Sequence, residues 1–412
     1  MTAHAPFEPT RRAGLARMRA FVPRMGAHYA AHRNHDHGPD ERGNVSNLSP
    51  WIRRRLVLES EVASAALAEH GPRAAEKFVQ EVVWRTYWKG WLEQRSQVWD
   101  EYRRELADDL AALERFRDQR ARYETAIEGR TGIEPFDRWV EELRTTGTLH
   151  NHARMWFASI WVFTLGLSWR LGADLFLRHL LDGDPAANTL SWRWVAGLHT
   201  SGKHYLANAG NIAKFTGGRF RVPDGVLANA ARPAEWAPVE RRPLPALAPV
   251  AARTPAVLLV TEEDCLPETL DLPPLAGAVL VRTAEGRSPG ETAPSVLAFE
   301  HGALDDVAVR LEAAGTPVLA TVEPAEAEEA LRAADALQIV GAELPVGPAR
   351  DALAPVLARL EADAIAWRPL RRRWDALFWP HATAGFFKLK KAIPSVLAKL
   401  EHEGVADAGK AA

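Results

Sequence analysis

The stretch LLDGDPAANTLSWRW, residues 180–194, places two carboxylates, an amide and two indoles within fifteen positions. Asp182 and Asp184 flank Gly183, which on its own reads as a turn or a helix cap, because short acidic side chains hydrogen-bond nearby backbone amides. With Asn188 and Trp194 in register behind them, a binding role is favoured over a simple cap. Three upstream segments also carry chemistry: NVSNLSPWI (44–52), EVVWRTYW (81–88) and TGIEPFDRWVEELRTTGTLHNHARM (131–155). Around them apolar residues recur at helical spacing from about residue 10 to 220, and stretches 53–67, 76–91 and 151–165 read as amphipathic or buried helices. This half of the chain is expected to be all-helical.

A length of 412 residues exceeds one ordinary core, so two domains of unequal kind are expected. Apolar residues at 47% and charged residues at 25% indicate a folded chain rather than a disordered one. The net charge of -2 provides no long-range attraction for phosphates, so a nucleic-acid partner has to be held by a local basic face. The single cysteine, Cys265, excludes a disulfide framework or a four-thiolate iron–sulfur cluster within the chain and fits a reducing cytoplasm. Arg11, Arg12, Arg17, Arg19 and Arg24 are not followed by an apolar stretch, which argues against a cleaved secretory signal. No apolar run approaches membrane-spanning length. The expectation is a cytoplasmic monomer without a membrane partner. Fifteen tryptophans, most of them between Trp84 and Trp194, are more than ordinary core filling asks for.

Residues 231–255 are rich in proline and continue neither helix nor sheet, so they read as a linker. Beyond it, short apolar runs at 256–260, 278–281, 318–322 and 337–340 alternate with helical stretches at 305–314 and 325–334. That alternation implies a parallel α/β sheet. No glycine-rich phosphate loop follows any of these runs. The expected organisation is a helical domain (1–228), a linker (229–254), an α/β domain (255–375) and a basic, aromatic helical tail (376–412).

Taken together, the four segments of the helical half resemble the FAD-binding domain of the photolyase/cryptochrome family, in order, spacing and residue type, over roughly residues 20–210. One piece arises easily by chance, four in the right order rarely. The resemblance implies an all-α FAD-binding domain; the α/β antenna-like domain that the family usually places first follows it here. In the family a Thr-Ser-x-Leu-Ser stretch at a helix start holds the FAD phosphates, and it reads here Val45, Ser46, Asn47, Leu48 and Ser49, with Tyr29 matching an upstream contact. Hydroxyls and backbone amides at a helix start suit an anion. Asp182, Gly183 and Asp184 match the family's Asp-Gly-Asp, and Arg154 matches the arginine paired with its first aspartate. Asn188 falls where the family places the residue facing flavin N5, and a neutral amide there suits a reduced, anionic flavin that must donate an electron.

In relatives that repair cyclobutane dimers the lesion is flipped out of the duplex, and aromatic faces replace its lost stacking. Trp84 and Trp194 match those indoles, Glu81 the carboxyl that hydrogen-bonds the dimer, and Asn151 and Met155 the pocket wall. Relatives that act on six-four photoproducts carry histidines at the positions of Asn151 and Met155. The resemblance therefore implies FAD-dependent, light-driven repair of cyclobutane pyrimidine dimers in UV-damaged DNA, a carbon–carbon lyase activity. A cryptochrome-like blue-light photoreceptor is the alternative, and a flavin-free helical binding module the third reading. Trp192 and Trp169 match the proximal and middle members of an electron-hopping chain, whose distal member falls to Trp99, Tyr102, Tyr123 or another path. Arg33, Arg85 and Lys203 are candidate DNA-phosphate contacts. The family order leaves a place for an antenna pigment of unidentified kind in the α/β domain. His28, His32, His35 and His37 lack thiolate partners and adjoin a loop, so no metal site is assigned. The run FWPHATAGFFKLKKAIP (378–394) mixes aromatic and basic residues in a pattern compatible with nucleic-acid binding or with packing on the neighbouring domain.

Overall fold

The computed structural model describes residues 7–200, 202–231, 235 and 237–403. Residues 1–6 and 201 of the expected helical domain, 232–234 and 236 of the expected linker, and 404–412 of the expected tail lie outside the described residues. The N-terminal half opens with α1 (Arg11–Phe21), α2 (Ala27–His32), α3 (Ser49–Arg53), α4 (Glu59–Glu93), α5 (Gln97–Arg115) and α6 (Arg117–Ile127). It continues with α7 (Glu134–Thr146), α8 (Asn151–Ser159), α9 (Trp169–His179), α10 (Pro185–Val195) and α11 (Ala209–Phe215).

Two of these helices show how the sequence sets the site. The helical runs at 53–67 and 76–91 join into α4 across a kink at Gly71, whose φ is 68°, and Pro72. The first run starts later than its apolar spacing implies, because Arg55 takes a left-handed conformation at φ 53°. The Glu61 carboxylate then accepts the Leu58 amide at 2.8 Å, capping the new start. In α10, Asp184 is the N-cap, its carboxylate accepting the Ala187 amide at 2.8 Å, and Pro185 supplies the first helical residue.

The C-terminal half holds β1 (Ala256–Thr261), β2 (Leu275–Val281), α12 (Pro294–Ala313), β3 (Val318–Val322), α13 (Ala327–Ala333), β4 (Gln338–Ala342), α14 (Pro348–Ala362) and β5 (Ala366–Leu370). Every strand pair is parallel and the order is β3-β2-β1-β4-β5, so a fifth strand closes the sheet beyond the four apolar runs. β1 is buried along its whole length, as a parallel strand covered on both faces should be. Alternate residues of a strand face opposite ways. Leu258, Val260 and Leu280 accordingly join the core of the helical half, while Val257, Leu259, Val279 and Val281 pack with α13 and α14. The two halves thus share one apolar core.

After the sheet, α15 (Arg373–Phe378), α16 (Phe386–Lys390) and α17 (Ile393–His402) return to the helical half. The Trp374 indole donates to Thr86 Oγ1 at 2.8 Å, and the Gln94 amide donates to the Trp379 carbonyl at 2.8 Å. Gly90 lets the chain approach this closely, since a Cβ there would lie 2.7 Å from the Trp379 ring.

Candidate functional site

Along α4, residues 78–93 are buried except Glu81, Trp84 and Arg85. Along α10 the partly exposed residues are Ala187, Ser191 and Trp194, and along α8 Asn151, His152, Arg154 and Met155 are open while Ala153 and residues 156–159 are buried. Spacings of three and four put each set on one helix face. Val45, Ser46, Asn47 and Ser49 are also half-buried. The faces are tied to one another: Arg154 Nη2 lies 3.0 Å from both Asp182 oxygens, and Arg85 lies 3.5 Å from Asp184. Asp182 and Asp184 thus tie Arg154 of α8, Arg85 of α4 and Ser49 to the start of α10, and the partly open ground around them is termed the recess; Glu81, Trp84, Asn151, Met155 and Trp194 lie on the open faces of the same three helices.

Behind the recess lies a dense set of buried ion pairs. Arg53 holds Glu263 bidentately at 2.7 and 2.5 Å, donates to the Gly183 carbonyl at 3.1 Å and stands 3.7 Å from Asp184. Arg54 pairs with Glu300, which also takes Arg287, and Arg55 pairs with Asp375 at 2.5 Å and Asp264 at 3.3 Å. Burial alone would raise the Asp182 carboxyl, but Arg154, the Ser49 hydroxyl and Arg85 hold it below its ordinary value. Asp184 is pushed up by burial and pulled down further by Arg53, Lys89, Arg85 and the Ala187 amide, to about 2.

That depression has a pH signature. Unfolded, the Asp184 carboxyl titrates near its ordinary 3.8; folded, it titrates near 2. Its stabilisation is complete above about pH 4 and is lost as pH falls towards 2, an effect on the order of 2 kcal/mol. Asp184→Asn, which keeps a cap acceptor, should be less stable than the parent at pH 6 and draw level by about pH 2 in urea unfolding. A stability gap that stays constant over that range would contradict the assignment.

At the mouth of the recess, Arg33 Nη1 contacts Glu81 at 2.7 Å. Burial raises the Glu81 carboxyl against the lowering by Arg33 and Lys77. Asn188 is buried and donates its amide to the Ala173 carbonyl at 2.7 Å. Trp194 is backed by Tyr205, nearly parallel at 5.7 Å. Trp84 lies flat against Phe386, with centroids 3.7 Å apart and planes 11° apart, so a base that stacks on that face has to displace the phenyl ring. Of the residues read as phosphate contacts, Lys203 is exposed, whereas Arg33 is engaged by Glu81 and the Arg85 side chain, 14% exposed, by Asp184. His150 and His152 face the backbone carbonyls of Arg33 and Asn34, and burial lowers His150 to about 4, so both serve as neutral framework. Among the described residues no cluster of histidine, cysteine or carboxylate groups could hold a metal ion.

The aromatic residues form two runs. Trp192 lies 6.2 Å from Trp161, which lies 6.0 Å from Tyr123. Trp169 lies 5.6 Å from Tyr102, which lies 5.3 Å from Trp99. Gly172 admits the first run, because a Cβ there would sit 2.3 Å from the Trp192 ring. A cleft of about 630 Å³ opens over Trp169, Arg170 and Arg193, beside linker residues 237–240, so it borders the second run rather than the recess.

Open α/β sheets with this strand order take ligands at the carboxyl ends of the strands, where β1 and β4 diverge. Here Arg53, Glu262, Glu263, Thr283, Arg287 and Glu300 fill that crevice and leave about 10 Å³, space for at most a single water. Arg53, Glu263 and Tyr205 escaped the sequence reading, and packing of the run that holds Phe386 was foreseen as one of two options without Trp84 as its partner. Only the complementary runs Arg53-Arg54-Arg55 and Glu262-Glu263-Asp264 hinted at the first two.

Residues 78–216, which carry α4 from Phe78 onward, α8 and α10, match the model of the FAD binding domain of DNA photolyase. Similar proteins include the deoxyribodipyrimidine photo-lyase of Thermus thermophilus, 33% identical over 205 residues (48% of this chain, 45% of that protein). The deoxyribodipyrimidine photo-lyase of Escherichia coli is 28% identical over 210 residues, 50% of this chain and 42% of that protein. The chain thus spans less than half the length of these relatives. Among solved structures, a class III photolyase from Agrobacterium tumefaciens is similar at 25% identity and a TM-score of 0.39, over 50% of this chain and 43% of that one. Through the domain that lines the recess, the helical half of this chain belongs to the photolyase/cryptochrome family.

Proposed function

We propose that this chain binds FAD in the recess and uses it, under light, to split cyclobutane pyrimidine dimers in DNA. What supports the reading is that Glu81, Trp84, Asn151, Met155 and Trp194 lie on partly open faces of α4, α8 and α10, three helices linked by the Arg154–Asp182 and Arg85–Asp184 pairs. The residues present fit the cofactor. Ser46 offers a hydroxyl, and residues 45–49 offer backbone amides, for a diphosphate, while Ser49 gives its hydroxyl to Asp182 and Tyr29 is the matched upstream contact. Arg154, with a quarter of its side chain open, keeps Asp182 ionised beside the ring position. Asn188, its amide hydrogen given to Ala173, retains an oxygen to accept from a reduced ring. Bound and reduced, FAD supplies the electron that splits the dimer and regains it afterwards.

The rest is work for the side chains. Trp194 and Trp84 receive the extruded bases. Glu81, its carboxyl raised by burial against the pull of Arg33, is the carboxyl assigned to the dimer, while Asn151 and Met155 wall the pocket. The runs from Trp192 and from Trp169 relay electrons inward, and the cleft over Trp169 admits a reductant to the second of them. The test is a spectrum followed by an assay. The purified chain should be yellow with flavin absorption, and after reduction and illumination it should restore a dimer-containing oligonucleotide. Fully flavinated, reduced protein that leaves the dimer intact would reject repair. One observation favours a second reading, a photoreceptor: Phe386 already occupies the face of Trp84. Flavin photoreduction with no repair, even with excess lesion DNA, would favour it.

A further inference from the structure

Lesion repair requires a hold on the phosphate backbone, yet Arg33 and Arg85 are engaged by the recess's own carboxylates. The chain's net charge of -2 gives no general attraction either. One surface element answers the need. Residues 376–400 contain Lys388, Lys390, Lys391 and Lys399 and no acid. In their midst α16 packs on α4 and turns two adjacent phenylalanines opposite ways. Phe386 is buried on Trp84, and Phe387 is 74% exposed beside the exposed Lys388 and Lys391. An exposed aromatic flanked by lysines is costly to leave bare and suits a strand that offers both bases and phosphates. Lys390 sits 3.2 Å from Glu76 in a surface ion pair, the weak kind that a phosphate readily replaces. Lys77, on the same turn of α4 as Glu76, is exposed as well.

We propose that α16 is the DNA-docking element of this chain, with Lys388 and Lys391 meeting phosphates, Phe387 stacking on an unpaired base and Phe386 anchoring the helix to the rim of the recess. The inference rests on the lesion-repair reading for its choice of DNA as partner, but its test is separate. Upstream, Trp374 and Trp379 fix the approach to α16 on α4; downstream, Ile393 and Val396 are buried, so the helix is presented from a firm base.

The experiment is anisotropy of fluorescein-labelled single-stranded and duplex oligonucleotides, undamaged, with the full-length protein in the dark over a range of salt concentrations. Lys388→Ala with Lys391→Ala should lower affinity and flatten the log–log salt slope by about 2. Phe387→Ala should weaken single-strand binding about tenfold with little change of slope. Arg117→Ala with Arg120→Ala on α6, an equal change of charge, should do neither. Unchanged affinity and slope in the lysine pair, an equal loss in the α6 control, or equally good competition by poly-glutamate would overturn the proposal. Lys388→Gln with Lys391→Gln repeats the test should the alanine pair fold poorly by circular dichroism. If repair is absent but these dark-binding differences hold, the docking surface stands and the lesion chemistry fails. Intact repair with flat binding data would instead leave the lesion chemistry standing and remove α16 as the docking element.

Discussion

Arg53→Met is expected to destabilise the folded chain by about 3–5 kcal/mol, the range found when one partner of a buried ion pair is removed. Arg53 is 4% exposed and serves three acceptors at once: the Glu263 carboxylate, the Gly183 carbonyl and, at 3.7 Å, Asp184. Without it, Glu263 keeps only Lys89 at 3.9 Å, and Asp184 keeps Arg85. The cost is therefore two under-compensated carboxylates in a dry interior rather than one lost contact. Urea unfolding followed by the fluorescence of the fifteen tryptophans measures it. Glu263→Gln in the same chain should recover part of the loss, because the double variant leaves only Asp184, and no longer Glu263, short of its partner. A single-variant loss below about 1 kcal/mol would show that water or rearrangement compensates these groups.

The position of Arg53 explains why that prediction reaches the site. Arg53 ends α3, which begins at Ser49, the last of the residues read as phosphate ligands; Arg54 and Arg55 follow it, and each of the three takes acids from the C-terminal half: Glu263, Glu300, and Asp264 with Asp375. The carboxyl end of β1 is thus clamped to the wall of the recess. The shared core of Leu258, Val260 and Leu280 reinforces the clamp. One unfolding transition, not two, is the consequence for a chain whose linker looks like a domain boundary.

How much of this was legible depends on the range of the interaction. The helical faces of Glu81 and Trp84 and the apolar strands were readable because they rest on spacings of a few residues, and the cap at Asp184 was the local default over which the binding reading was preferred. The Arg154–Asp182 pair was readable only through the family pattern, since nothing local joins residues 28 apart. Arg53 with Glu263, 210 residues apart, and Trp84 with Phe386, some 300 apart, were not, because contacts between distant segments leave no mark on local spacing. β5 hid for another reason. Its sequence AWRPL carries an arginine and a proline on an edge strand, where a missing amide and a charge are tolerated and the apolar signal is thin.

Trp194→Ala is expected to remove repair while leaving flavin absorption and overall stability close to the parent. Stacking on an aromatic side chain contributes about 1–3 kcal/mol per base, so a flipped dimer that loses this wall should bind roughly 5- to 150-fold more weakly. The residue is half-buried at the recess face of α10, with its other neighbour Tyr205 nearly parallel behind it, so truncation opens the pocket instead of hollowing the core. Trp84→Ala is the less clean variant, because it also strips Phe386 of its stacking partner and unseats α16. Phe386→Ala also loosens α16, so affinity for both strands should fall, but clearing the face of Trp84 should tighten binding of a dimer-containing strand relative to the undamaged one. The measurement is the ratio of the two dissociation constants in the dark, for each variant. A ratio unaffected by Trp194→Ala would mean that no base reaches this indole, and repair would then have to be assigned to another surface or abandoned.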